Sequence, residues 1–314
     1  MKIKHLVIGS RSSKLAMAQA QYIRDRIKKF YPSLDVGIKT IKTTGDKITD
    51  VALSKIGDKG LFTKEIESAL LARRIDLAVH SMKDLPTELP AGLKIAAVPK
   101  REDPREVLVS EQAFTIGLLP EGCKVGTSSL RRRVQLLRLR SDLKILDLRG
   151  NVDTRLAKLK NGSYDAIILA YAGIKRLGLE LNLSAIPVEE IIPQAGQGAL
   201  GIEIHEDAAE IEELVKVLDD ADSHLAIDAE RAALAGLEGG CQVPIGVYAA
   251  ITKDRIDVEA GIFSLDGKYA EKDGIEGDKK DARKLGRALA EKILEGKAAC
   301  RILDEFKKMR RVTG

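Results

Sequence analysis

Cys241 differs from the other two cysteines of the chain in its surroundings. It follows Gly239 and Gly240 and lies three residues before Pro244. Glycine permits backbone conformations closed to other residues, and proline fixes the direction in which the chain leaves, so the thiol is predicted on an accessible turn. Such a thiol can be approached from outside the protein. Taken alone, a cysteine is more often a small buried apolar residue, and that alternative stays open.

Asp84 is the carboxylate whose position best suits a reaction. It follows the apolar run 75–79, and Pro86 disfavours a helical conformation for Leu85, so Asp84 is predicted in a loop at a strand end. In an open α/β sheet such loops line the ligand crevice. A turn-forming or capping role is the alternative.

Three consecutive arginines, 131–133, occupy the first turn of a predicted helix that residues 127–129 cap. The N-terminal end of a helix carries partial positive charge and disfavours cations. Arg155 repeats this misfit in the next helix, and Arg176 lies in the short helix after a further strand. A ligand anion would resolve the misfit, so we expect Arg131, Arg132, Arg149 and Arg155 to act on a ligand and not on folding. Solvated surface arginines are the alternative.

The segment 44–60 is rich in glycine and charged residues and has no clear period. We interpret it as a mobile loop or lid. Lys55 and Lys59 could reach an anion from this loop, although solvated lysines are the alternative. The segment lacks the glycine and lysine spacing of a P-loop.

Length and composition narrow the class of protein. A chain of 314 residues predicts two or three domains. Three cysteines without a paired spacing indicate neither a disulfide framework nor a zinc site, and they favour a reducing cytoplasm. A net charge of only +5 and the absence of tryptophan argue against nucleic-acid binding. No apolar run is long enough to span a membrane.

Apolar runs and helical periodicities alternate along most of the chain, which predicts an α/β fold. A polar crossover at 99–104 and a glycine-rich turn at 191–199 are interpreted as interdomain crossings. Predicted antiparallel strands near the end of the chain are 247–251, 255–260 and 261–265. A final helix is predicted over about 281–294, followed by a basic tail.

The motifs around these candidates resemble those of one family, the porphobilinogen deaminases, also called hydroxymethylbilane synthases. The matching segments are IGSR (8–11), GLFTKE (60–65), VHSMKDLP (79–86), GTSSLRR (126–132), LRGNV (148–152), QAGQG (194–198) and EGGCQVPIG (238–246). They follow the family's order and are too long and specific for chance similarity. Two departures from the family pattern, Thr63 and Asp153, affect no residue with an expected role.

The resemblance implies a transferase of tetrapyrrole (haem, sirohaem and corrinoid) biosynthesis. Four porphobilinogen molecules condense head to tail, each losing ammonia, and water releases the linear hydroxymethylbilane. The chain grows on a dipyrromethane cofactor joined by a thioether to a cysteine, which maps onto Cys241. The implied fold is α/β, with two doubly wound domains like those of solute-binding proteins and a third, smaller α/β domain with an antiparallel sheet. The expected boundaries are 1–99 with 196–217, then 100–195, then 218–314.

The resemblance also implies roles for individual residues, with Asp84 as the catalytic residue that faces the pyrrole N–H and its developing positive charge. Residues expected to bind the cofactor are Cys241, Lys83, Asp84, Ser129, Arg131, Arg132, Arg155, Thr127, Gly150 and Ser81. Residues expected to bind substrate are Arg11, Ser13, Gln19, Arg149, Arg155, Arg176, Phe62, Lys55 and Lys59. Each pyrrole carries an acetate and a propionate, which arginine can neutralise through bidentate pairs. We expect a cytoplasmic monomer without a metal, nucleic-acid or membrane partner.

Two other classes of function are weighed against this one. A solute-binding or effector-sensing protein of the same two-domain fold would need neither the cysteine nor a third domain. An RNA-binding protein using the arginines would show steep salt dependence, which the modest net charge argues against.

The first prediction concerns Cys241. The purified active chain should exceed its sequence mass by one dipyrromethane unit, and Cys241→Ala should remove that excess. Intact-mass spectrometry makes the measurement. An unmodified wild-type chain from an active preparation would show that the thiol carries no cofactor.

Overall fold

The computed structural model describes residues 3–47, 60–112, 115–237 and 243–313. The chain forms two compact units. The first unit consists of Met1–Asp103, Lys175–Leu179 and Gly198–His224. The second unit consists of Pro104–Ile174, Glu180–Gln197 and Leu225–Gly314.

Strands and helices alternate along the described part of the chain. The strands are β1 (His5–Ser10), β2 (Asp35–Thr40), β3 (Leu77–Ser81), β4 (Leu93–Ala97), β5 (Glu106–Ser110), β6 (Lys124–Gly126), β7 (Lys144–Leu146), β8 (Ala166–Ala170), β9 (Leu183–Ile186), β10 (Leu200–His205), β11 (Ile245–Thr252), β12 (Arg255–Phe263) and β13 (Ala270–Asp278). The helices are α1 (Lys14–Phe30), α2 (Thr44–Lys47), α3 (Lys64–Leu71), α4 (Leu130–Leu139), α5 (Val152–Lys160), α6 (Tyr171–Arg176), α7 (Ala209–Val215), α8 (Ala221–Gly236), α9 (Ala282–Leu294) and α10 (Lys297–Thr313).

The sheet of the first unit has the strand order β2-β1-β3-β10-β4. β1 runs parallel to β2 and β3, whereas β10 is antiparallel to β3 and β4. Because β2 and β3 lie on opposite sides of β1, the winding of the chain reverses there. The carboxyl ends of β1 and β3 therefore frame a topological switch point, the place where open α/β sheets bind ligands.

Apolar side chains on both faces of this sheet explain its layers. Leu6 and Ile8 of β1 share a buried cluster with Ile23 and Ile27 of α1. On the other face, Ile66 of α3 belongs to a separate buried cluster. Successive residues of a strand point to opposite faces, so β1, β3 and β4 contribute to both clusters.

The five-stranded sheet of the second unit has the order β7-β6-β8-β5-β9. β6 is parallel to β7 and β8, and β5 is antiparallel to β8 and β9. The sequence of strand directions is thus the same as in the first unit. A second switch point lies at the carboxyl ends of β6 and β8.

The third sheet, β11-β12-β13, is antiparallel throughout. Its apolar face shares one core with α8, α9 and α10. The prediction of an α/β fold with two larger sheets and a smaller antiparallel one is confirmed. The division into three domains at the stated boundaries stays a prediction.

Two predictions for the end of the chain are wrong. The run 261–265 is not a third strand, because β12 continues to Phe263 and the turn follows at Gly267, whose φ is +70°. The third strand is β13, whose alternating half-exposed and exposed residues suit the edge of a sheet. The helix predicted over 281–294 is not the final one, because the basic tail forms α10, whose Ile302 and Phe306 recur at helical spacing and pack into the third core.

The close packing of α8 against α9 generates the second prediction. A Cβ on Gly286 would lie 2.2 Å from the carbonyl oxygen of Ala229. Gly286→Ala should therefore lower the free energy of unfolding by about 1–3 kcal/mol, although alanine is the better helix former. Urea unfolding measures the change. Gly117→Ala is the control, because a Cβ there meets no atom within 4 Å; equal stability of the two variants would contradict the contact.

Candidate active site

The switch point of the first sheet holds a small cavity of about 60 Å³, roughly the volume of two water molecules. The predicted site residues among those lining it are Arg11, Ser13, Gln19, Phe62, Ser81 and Asp84. His80 and Thr63, which were not predicted to belong to the site, also line it. The fold therefore gathers one catalytic candidate and five binding candidates from three separate stretches of sequence, 11–19, 62–66 and 79–84.

Asp84 lies on a short turn rather than in a longer loop. Strand β3 extends to Ser81, and residues 82–84 form a single turn of 3₁₀-helix. The Met82 N–H donates to the Ala199 carbonyl at 3.0 Å, and Gln19 Nε2 donates to Ser81 Oγ at 2.9 Å. Asp84 itself is exposed, so its carboxylate can meet a ligand from a turn held at both sides.

Arg11 already has an anionic partner inside the first unit. Its Nε donates to Asp46 Oδ1 at 3.1 Å, and its guanidinium carbon lies 4.0 Å from the centre of the Phe62 ring. Burial alone would raise the pKa of Asp46, but hydrogen bonds from Arg11 and Thr43 outweigh it and lower that pKa. A ligand carboxylate at Arg11 must therefore compete with Asp46, a residue that sequence reasoning missed.

Two further predicted site residues of the first unit, Ser13 and Arg176, make hydrogen bonds with the backbone. Ser13 caps α1, where its Oγ accepts a hydrogen bond from the Ala16 N–H at 3.3 Å, and its own hydroxyl hydrogen can still be donated. Arg176 is not among the described residues that line the cavity. Its Nη2 donates to the Gly198 carbonyl at 2.6 Å, and burial lowers its pKa despite the nearby Glu102.

The switch point of the second unit carries hydroxyl groups and backbone donors. Ser129 caps α4 and accepts a hydrogen bond from the Arg132 N–H at 3.4 Å, while Thr127 Oγ1 accepts one from the Ser129 N–H at 3.2 Å. After β7, Gly150 has a φ of +108° that favours glycine. Arg155 Nε donates to the Gly150 carbonyl at 2.8 Å, which holds the guanidinium beside this turn.

Arg131 and Arg132 are buried and share one internal carboxylate, that of Glu106 on β5. Arg131 Nη2 bonds to Glu106 Oε1, and Arg132 Nη2 lies 2.7 Å from Glu106 Oε2. Arg131 Nη1 also donates to the Ile192 carbonyl at 2.7 Å. The expectation that these two arginines play no part in folding is therefore wrong, because Glu106 supplies the anion. The surface alternative is wrong for them too, and only Arg133 of the three is exposed.

The donor set of the second unit fits a ligand that carries carboxylates. Arg132 Nε is buried and has no hydrogen-bond partner among the described residues, so one guanidinium donor remains after Glu106 has been satisfied. A buried donor without a partner is costly, and a ligand carboxylate would satisfy it. Arg149 and Arg155 are half-buried, and both lie near the turn at Gly150.

Three predicted site residues, Cys241, Lys55 and Lys59, lie outside the described residues. The surroundings of another thiol can be stated. Burial raises the pKa of Cys123 to about 11, and the nearby Asp165 adds to the rise. Because the thiolate is the nucleophile, Cys123 is poorly suited to forming a covalent link at neutral pH.

Fold and donor set together define an α/β protein whose sheet ends present donors suited to an anionic ligand. A family model described as the porphobilinogen deaminase dipyrromethane cofactor-binding domain matches residues 6–213, and one for the C-terminal domain of that enzyme matches residues 224–295. The chain belongs to the porphobilinogen deaminase family.

Curated relatives support this membership. The porphobilinogen deaminase of Pelotomaculum thermopropionicum is 50% identical over 93% of this chain and 94% of its own. The porphobilinogen deaminase of Carboxydothermus hydrogenoformans is 49% identical over 97% of this chain and 98% of its own. The predictions of the family, of a transferase acting in tetrapyrrole biosynthesis and of a dipyrromethane cofactor are confirmed.

Solved structures show a more distant similarity to this chain. The methionine-binding protein MetQ has 14% identity and a TM-score of 0.44, covering 70% of this chain and 92% of its own. The alkanesulfonate-binding protein SsuA from Xanthomonas axonopodis has 16% identity and a TM-score of 0.38, covering 76% and 78%. Similarity at this level supports no conclusion about ligands. In the part of the chain that the structure describes, no helix is long and apolar enough to cross a membrane.

The buried pairs of Glu106 generate the third prediction. Arg131→Leu leaves part of the Glu106 charge uncompensated, so it should lower the free energy of unfolding by about 3–5 kcal/mol. Arg133→Leu, an exposed change in the same helical turn, should alter it by only about 0.5 kcal/mol. Urea unfolding of the two variants is the measurement. Equal stabilities would show that Glu106 does not depend on Arg131.

Proposed function

We propose that this chain condenses four porphobilinogen molecules head to tail, with loss of one ammonia from each, and releases hydroxymethylbilane. The observation that carries the proposal is the convergence of Asp84 with Arg11, Ser13, Gln19 and Ser81 on one cavity at a switch point. The cavity thus offers a carboxylate for a developing cation and several donors for substrate carboxylates. Family membership supports the same reaction.

Asp84 is proposed to act electrostatically. When ammonia leaves porphobilinogen, the pyrrole ring becomes cationic, and a fixed negative charge beside its N–H lowers the barrier. Hydrogen bonds at Ser81 and Met82 hold the turn before the reaction, so little reorganisation is needed. Asp84 is exposed in the free enzyme, which leaves its carboxylate available to the substrate.

The arginines are proposed to bind the acetate and propionate groups. They differ in how many of their donors are already held by other groups of the protein. Arg11 exchanges Asp46 for a substrate carboxylate, so binding there replaces one ion pair with another. Arg132 offers its remaining Nε hydrogen while its other donors stay with the protein. Arg149, Arg155 and Arg176 complete the proposed set.

Residues proposed to hold the cofactor are Lys83, Asp84, Ser81, Thr127, Ser129, Gly150, Arg131, Arg132 and Arg155, with covalent attachment through Cys241. When bound, dipyrromethane supplies the pyrrole acceptor on which the product is built. The contribution of the protein is to orient it through fixed hydroxyl and guanidinium donors. A tether of this kind raises the effective concentration of the acceptor ring.

We also propose that the enzyme is a cytoplasmic monomer whose small-molecule partner is porphobilinogen. Cysteines without paired spacing support a reducing compartment. Light scattering coupled to size exclusion should give the mass of one chain, 34.2 kDa, plus its cofactor. A mass of two or more chains would contradict the monomer.

The fourth prediction tests the charge of Asp84. Asp84→Asn keeps the shape and an acceptor but removes the charge, so ammonia release should slow about a hundred- to a thousand-fold. Asp84→Glu keeps the charge and displaces it by one methylene, so it should retain more activity than Asn. The measurement is single-turnover ammonia release from variants that carry preassembled cofactor.

Wild-type enzyme loaded in the same way is the reference for both variants. If Asp84→Asn matches the wild type or exceeds Asp84→Glu, the reaction does not need the charge. Asp84 would then be only a turn former.

A further inference from the structure

A buried group of ionisable residues lies inside the first unit, beside the cavity that contains Asp84. The side chains of His80 and Glu203 are 5% and 0% exposed, and His80 Nε2 lies 3.0 Å from Glu203 Oε2. Glu67 of α3 is also buried, and its charge interacts with both of them. None of these residues was singled out by its sequence pattern for a role in the reaction.

Strand geometry explains why the three residues meet. Val79 and Ile202 belong to the core that α1 covers. Their neighbours in sequence, His80 and Glu203, therefore point to the opposite face, which is the face that α3 packs on. His80 pairs with Gly201 across the two strands, so Glu203 is its diagonal neighbour on the same face.

The charges of this group do not cancel if every member is ionised. Two carboxylates and one imidazolium would leave one negative charge in the interior, which is costly. Glu203 Oε1 and Glu67 Oε1 are both buried without a hydrogen-bond partner among the described residues. Keeping one proton on a carboxyl group removes both the excess charge and part of this cost.

Glu67 is the member best placed to keep that proton. Burial raises the pKa of Glu67, and the charge of Glu203 adds to the rise. The Thr63 hydroxyl and the charges of His80 and Lys64 lower it, without cancelling the rise. Burial therefore disfavours the charged form of Glu67, which packs beside the close contact of His80 Nε2 with Glu203 Oε2.

This contact adjoins the turn that carries Asp84. His80 precedes Ser81 directly, and it lines the same cavity as Asp84. Ser81 Oγ accepts a hydrogen bond from Gln19 Nε2, and the Met82 N–H donates to the carbonyl of Ala199, the residue before β10. Besides its backbone pairing with β10, the end of β3 is therefore held by the Ala199 carbonyl and by the side chain of Glu203.

We propose that His80 and Glu203, packed beside Glu67, are positioning residues that fix the end of β3 and so place Asp84 for the chemical step. The inference rests on the catalytic role proposed for Asp84. The pair acts through the backbone of the turn and touches no reacting atom. Its loss should therefore affect the rate of the chemical step more than the binding of substrate.

Steady-state kinetics of Glu203→Gln, His80→Gln and His80→Leu test the proposal, with rates expressed per cofactor-loaded enzyme as counted by intact mass. Glu203→Gln should lower kcat by about ten- to a hundred-fold while KM changes by less than about threefold. His80→Gln keeps an N–H donor in place of the imidazole, so it should retain more activity than His80→Leu. Glu212→Gln is the matched control, because Glu212 pairs with Lys94 in the same unit and is 45% exposed.

A separate measurement, the unfolding temperature as a function of pH, tests whether folding raises the pKa of Glu67. A carboxyl group whose pKa is raised by folding loses stability as pH rises from its unfolded pKa, about 4.3, toward its folded pKa. Glu67→Gln cannot ionise and escapes this loss. The unfolding temperature of Glu67→Gln relative to wild type should therefore increase between pH 4 and pH 7.

Each outcome decides one part of the proposal. If Glu203→Gln and both His80 variants keep kcat within about twofold of the Glu212→Gln control, the positioning role is overturned. If Glu203→Gln does not fold, the order of His80→Gln and His80→Leu decides, and equal kcat values overturn the role. A relative unfolding temperature that does not increase with pH overturns the raised pKa of Glu67. A wild-type enzyme that releases no ammonia from porphobilinogen overturns the proposed function itself.

Discussion

A carboxylate with no access to water must be neutralised by the groups around it, and each unit has such a carboxylate on the strand that runs against its parallel neighbours. Glu203 lies on β10 and Glu106 on β5, and neither has exposed surface. Their partners are His80 near the end of β3 and the pair Arg131 and Arg132 at the start of α4. Each partner lies at a switch point, so the contacts that satisfy the buried carboxylate also hold the backbone where we propose that the ligand binds.

Internal ion pairs also hold two of the arginines that we propose to bind the ligand. Arg132 is held by Glu106 and still has one buried donor without a partner among the described residues. Arg11 is held by Asp46 and by the Phe62 ring, both of which fix its guanidinium before a ligand arrives. Side chains ordered in advance lose less conformational freedom on binding, which leaves more of the interaction energy for the ligand.

Local patterns predicted most of the helices and strands, because apolar periodicity is a property of neighbouring residues. They failed at β13, where an edge strand needs few apolar residues and is stabilised by backbone pairing with β12. They also failed at α10, whose basic composition concealed the apolar face that Ile302 and Phe306 pack into the third core. In both places the deciding contacts come from elsewhere in the chain.

The sequence by itself determined the family, the dipyrromethane cofactor and the candidate residues, because long motifs such as VHSMKDLP and GTSSLRR carry that information locally. Only the tertiary structure decided which arginines are paired and with what. Asp46 and Glu106 belong to no motif that was recognised, and each meets its arginine from a stretch at least 25 residues away. The helix dipole indicated correctly that Arg131 and Arg132 need an anion, but only the folded chain could show that Glu106 provides it.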